Sequence, residues 1–132
     1  MTGWCDMIIR DEAWPRLDAG AAAAFIEASD PGVIFLRGGA RAEAEAIAMV
    51  LRELRREMVG LLRVAVGRTK AEPALQHRLG LATVPGVAWV GAGTVLAQLE
   101  GVQSLQAYTA ATDRALARLS HVLAENGKDV LF

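Results

Sequence analysis

The chain has 132 residues, enough for one domain over 1–132 that buries about two-thirds of the surface its unfolded form exposes, so it needs no disulfide or metal staple. Hydrophobic residues make up 53%, charged residues 22%, and the formal net charge is −1, which disfavours a general nucleic-acid or membrane-surface role. Cys5 is the only cysteine, so one chain holds neither an internal disulfide nor a Cys-x-x-Cys redox or zinc site.

No stretch approaches the roughly 20 consecutive apolar residues of a membrane helix. The first residues include Asp6, Asp11 and Glu12 in place of a basic segment followed by an apolar core, so the expectation is a cytoplasmic protein with no direct membrane insertion. Charge is divided unevenly: residues 1–30 carry six acids and two arginines, and residues 31–132 carry nine acids and twelve basic groups. An acidic N-terminal segment reads either as a docking surface for a basic partner or as an ordinary solvated face.

Along the chain, Trp4 to Glu12 is ambiguous, because Met7-Ile8-Ile9 is too short a run to choose between helix and strand. Trp14-Pro15-Arg16-Leu17 reads as a short strand, with Pro15 placing it at a sheet edge. Asp18 is a candidate N-cap for a helix over Ala19–Ser29, where alanines favour helix and Phe25 and Ile26 supply core contacts. Val33–Leu36 is a continuous apolar run between Asp30-Pro31-Gly32 and Gly38-Gly39, the pattern of a strand buried on both faces. Ile47, Val50, Leu51, Leu54 and Met58 then fall on one helical face. Leu61–Val66 supplies the next strand and completes a βαβ unit whose crossover should be right-handed.

Glu72–Leu79 predicts a short helix ended at Gly80. Val87–Val90 and Thr94–Leu99 are strand-like runs joined through Gly91-Ala92-Gly93, which reads as an antiparallel hairpin. Ser104 begins a final helix with Leu105, Tyr108, Ala111, Ala115, Leu119 and Val122 inward, and Asn126-Gly127 is expected to close it. The order is β-α-β-α-β-α-β-β-α, an α/β arrangement with a parallel unit first and a hairpin last. The apolar tail Val130-Leu131-Phe132 would dock on its own domain or on a second copy, and the sequence leaves homodimerisation open.

The central strand with its Gly-rich corner, and Thr83-Val84-Pro85 before the hairpin, together resemble the thioredoxin fold: a central mixed sheet flanked by helices, with a proline loop at Pro85. With Trp14-Pro15 and Asp30-Pro31-Gly32-Val33, nearly the whole chain is similar to the hydrogenase expression/formation proteins of the HyaE/HupG type, which keep this fold without its dithiol. Laid over a redox thioredoxin without a gap, the Cys-Gly-Pro-Cys positions become Arg41-Ala42-Glu43-Ala44. The buried acid of redox members falls on Phe35. The resemblance implies a cis bond before Pro85, a state of only about 5–6% of X-Pro bonds in folded proteins.

The resemblance implies a non-catalytic accessory or chaperone for maturation of a membrane-bound uptake [NiFe] hydrogenase. The implied partner is the small-subunit precursor with its twin-arginine signal peptide. The candidate peptide-binding residues are Arg41, Glu43, Thr83, Val84 and Pro85, where a loop edge could take an extended peptide by strand addition. The competing reading is a corner merely fixed by Pro85. A thiol-dependent redox protein using Cys5 is the alternative function, although Asp6 beside it disfavours a reactive thiolate.

No cofactor or metal is expected, because neither His77 nor His121 has a companion at ligand spacing. Gly38-Gly39 lacks the Gly-Lys-Ser/Thr ending of a nucleotide loop, and Gly91-Ala92-Gly93 sits between strands, so both read as tight turns. Arg52, Arg55 and Arg56 with Glu53 and Glu57 read as a solvated helix face, and no aromatic platform for nucleic-acid bases accompanies them.

Overall fold

A computed structural model describes residues 3–58 and 60–131, with side chains as far as Asn126. The elements are α1 (Trp4–Asp11), β1 (Arg16–Leu17), α2 (Ala19–Glu27), β2 (Gly32–Leu36), α3 (Arg41–Glu57), β3 (Arg63–Gly67), α4 (Glu72–Leu79), β4 (Gly86–Gly91), β5 (Thr94–Glu100) and α5 (Leu105–Leu131), with a 3-10 turn over Thr69–Ala71 before α4. The strands form one mixed sheet in the order β1-β3-β2-β4-β5. β1, β3 and β2 run parallel, β4 is antiparallel to β2, and β5 is antiparallel to β4.

The sequence of β2 explains the two layers around the sheet. All five of its residues are buried. Val33 and Phe35 enter the core shared with α1, α3 and α5, whereas Ile34 and Leu36 enter the core under α2 and α4. Side chains alternate between the faces of a strand, so an unbroken apolar run is what two covered faces require. In the first core Trp89 donates from Nε1 to Thr112 Oγ1 at 3.0 Å, and its ring centroid lies 5.7 Å from that of Tyr108. An oriented pair thus joins β4 to α5 in addition to packing.

Two helix starts follow capping residues. The Asp18 carboxylate accepts the N–H of Ala21 at 2.8 Å, and Ser104 Oγ accepts that of Ala107 at 3.1 Å; each satisfies an amide that the first turn leaves free. Pro15 does lie beside an edge strand, its carbonyl accepting the N–H of Val66.

Several boundaries differ from the sequence expectations. Trp4–Asp11 is a helix, with Cys5, Ile8 and Ile9 buried; those positions have helical spacing, which the run Met7-Ile8-Ile9 alone conceals. The element order therefore begins with a helix. β1 keeps only Arg16 and Leu17, and α2 stops at Glu27. β3 starts at Arg63, because the exposed Leu61 belongs to the turn after Gly60. Helix α5 does not close at Asn126-Gly127 but continues to Leu131; an interior glycine costs a helix about 1 kcal/mol and does not by itself end it. The side chains of the Val130-Leu131-Phe132 tail lie outside the described residues. No helix among the described residues is long and apolar enough to cross a membrane.

Candidate functional site

The corner after β2 leads through Arg37 to Ala40 into α3. Arg41 heads that helix and pairs with Glu45 one turn on at 3.4 Å, Glu43 is exposed in the first turn, and Ala44 is buried. Arg41 and Ala44 therefore stand where the resemblance places the two thiols. Phe35, fully buried in β2, stands where it places the acid.

Opposite this corner runs the loop before β4, in which the Val84–Pro85 peptide is cis. Pro85 is buried, Val84 half-buried and Thr83 exposed. Gly38 has φ +65°, and a Cβ there would lie 3.1 Å from Pro85 N and from Val84 C. A left-handed backbone and a close approach both demand glycine here. The corner thus meets the loop through Gly38, whereas Arg41 and Glu43 make no hydrogen bond or ion pair with residues 83–85 among the described residues.

Two carboxylates that sequence reasoning did not single out hold this arrangement. Glu100, at the end of β5, accepts the N–H of Thr83 at 2.9 Å and that of Ala82 through the same Oε2. The carbonyl of Pro85 accepts the N–H of Gly101 at 3.0 Å. Val84, between these anchors, makes no main-chain hydrogen bond among the described residues. Val102, just beyond Gly101, is 52% exposed. Across the corner, the buried carboxylate of Glu72 accepts the N–H of Arg37 at 2.8 Å and that of Gly38 at 3.2 Å. The hairpin register sets Glu100 opposite Gly86, and that pairing is the signal that could have found it. Glu72 is separated from its partners by 34 and 35 residues, and no local pattern announces it.

Cys5 lies in the buried side of α1 and borders a cleft of about 290 Å³ that also touches Arg37, Gly38 and Arg41. Burial pushes its thiol pKa up; nearby Arg37 pulls it down and Asp6 adds to the rise. The outcome is a thiol that resists ionisation, the opposite of an activated nucleophile. His77 and His121 are both exposed, and no three His, Cys, Asp or Glu side chains among the described residues gather as a metal site would.

Four of the six acids of residues 1–30 are engaged within the fold. Asp6 contacts Arg37 at 2.9 Å and Arg16 at 3.4 Å, Asp11 contacts Arg10, and Glu12 contacts Arg56. Asp18 is occupied as a cap. The sequence count saw charge but could not see these partners, several of them distant in the chain.

The model of the family described as hydrogenase-1 expression protein HyaE matches residues 5–108. The chain belongs to this family. Its place is therefore in hydrogenase expression and maturation, and with one cysteine it has no redox-active dithiol. No curated protein matches the chain significantly. Among solved structures, oxidized mitochondrial thioredoxin 3 from Saccharomyces cerevisiae is similar with a TM-score of 0.66 at 13% identity, covering 77% of this chain and 96% of that one. A structure from work on the thiol resolving mechanism of yeast mitochondrial 1-Cys peroxiredoxin gives the same values. At that identity the likeness establishes the thioredoxin-like fold alone.

Proposed function

We propose that this HyaE-family protein is a non-catalytic, cytoplasmic assembly factor that binds the small-subunit precursor of a membrane-bound uptake [NiFe] hydrogenase, including its twin-arginine signal peptide. The observation that carries the reading is the pairing of a hydrogenase-expression family match with a thioredoxin-like frame whose dithiol positions hold Arg41-Ala42-Glu43-Ala44. A frame without the reactive groups can still bind.

The binding element is the loop Thr83-Val84-Pro85, with Arg41 and Glu43 across the corner. Val84 offers main-chain groups that no other described residue engages, and half-buried Val84 and exposed Val102 supply apolar surface for an extended segment. Strand addition uses such groups for affinity and side-chain contacts for selection. Because Asp6, Asp11 and Glu12 are already in ion pairs, charge contributes less than main-chain and apolar contacts, and affinity should weaken only modestly with salt. Val84→Asp places a charge on that surface and should abolish precursor binding while leaving the circular dichroism spectrum unchanged. Undiminished affinity in a folded Val84→Asp protein removes the loop as the binding surface.

A further inference from the structure

A second hollow, of about 540 Å³, has Arg10, Arg16 and Arg68 around it, Asp6 on one wall, and Ile9 and Trp14 in its lining, and none of residues 83–85 borders it. Three elements build it. Arg10 comes from α1, Arg16 from β1, and Arg68 from the segment just after β3. The Arg68 main chain is held in place by its own N–H, which donates to the carbonyl of Leu17 at 2.8 Å.

The charges in this hollow do not balance. Asp6 already serves two guanidinium groups, Arg37 at 2.9 Å and Arg16 at 3.4 Å. Arg10 has only its exposed chain neighbour Asp11 at 3.4 Å, a type of pair worth little in water. Arg68 has no carboxylate partner among the described residues and is exposed. A chain of net charge −1 thus carries a local basic basin over a floor of buried Ile9 and Trp14.

We propose that this hollow is a docking site for an acidic segment of a protein partner. Guanidinium groups fit carboxylates in planar, paired hydrogen bonds, and with Ile9 at 2% and Trp14 at 6% exposure the floor of the hollow is nearly closed, so the three arginines supply the recognition. Nucleic acid fits less well: Trp14 is 94% buried by its 6% exposure and offers no open face for base stacking, which single-strand binding uses. The site is separate from the Pro85 loop, so a protein that fails here and still binds the precursor leaves the proposed function standing, and the reverse also holds.

The test uses the full chain labelled with ¹⁵N and follows the Trp14 indole signal during titration with a short peptide rich in aspartate and glutamate. A peptide with asparagine and glutamine in place of the acids is the control. The expected result is a saturable shift with the acidic peptide alone, weakened by salt and reduced several-fold by Arg68→Glu and by the milder Arg10→Gln. Arg118→Glu, on exposed α5, should leave it unchanged. No saturable shift, an equal shift with the neutral peptide, indifference to both hollow variants, or preferred binding of orthophosphate or an oligonucleotide overturns the proposal.

Discussion

Tyr108 combines full burial of its side chain with a hydroxyl that has no hydrogen-bond partner. Burial pushes its pKa from 10.0 up to about 12. The unfolded chain therefore releases this proton first. Stability should be intact below pH 10, fall as pH rises from there toward 12, and level off beyond, a loss of roughly 2–3 kcal/mol from this group. Urea unfolding across that range should show the slope in the native protein and lose this contribution in Tyr108→Phe, which at neutral pH is neutral or slightly stabilising because an unpaired polar atom disappears. Thr112→Val should act in the other direction, costing about 1–3 kcal/mol by orphaning the Trp89 indole N–H. Cys5 makes a kinetic prediction: its thiol should react with iodoacetamide far more slowly in the native than in the unfolded protein, and Cys5→Ser should leave precursor binding unchanged.

At the scale of elements, the corner between β2 and α3 is positioned by groups distant in sequence. Glu72 of α4 ties down the amides that follow β2, so Glu72→Ala should destabilise by roughly 2–4 kcal/mol, and Glu72→Gln, which keeps an acceptor oxygen, by clearly less. Gly38→Ala forces a side chain into the left-handed region and against Pro85, at a cost of about 2 kcal/mol or more. Chemical denaturation measures both. These dependences also show where sequence reading stops. Gly38 is legible as a turn residue, but its contact with Val84 and Pro85 needs the folded sheet. Glu72 and Glu100 look like surface acids because the backbone amides they hold lie 17 to 35 residues away. Asp18, whose partner is three residues away, was legible for the same reason in reverse.

For the whole molecule, the legible part of the fold is what alternation and period dictate. The apolar run of β2 announced a strand covered on both faces, and the spacing from Ile47 to Leu54 announced the inner face of α3. Helix α1 was hidden because eight residues give little more than two turns of pattern, and its burial comes from packing on α3, where the Trp4 N–H reaches Glu45 and Arg56 reaches Glu12. Ion pairs with Arg37 and Arg56, distant in the chain, likewise offset Asp6 and Glu12 in a segment that the sequence count reads as acidic. Membership in the HyaE family rests on most of the chain, and the molecule keeps the cis Val84–Pro85 loop while lacking a dithiol. The most direct measurement is calorimetric titration of the full chain with the hydrogenase small-subunit precursor, run beside the same subunit without its signal peptide. The account predicts binding to the precursor alone; absence of binding to either form, or equal binding to both, contradicts it.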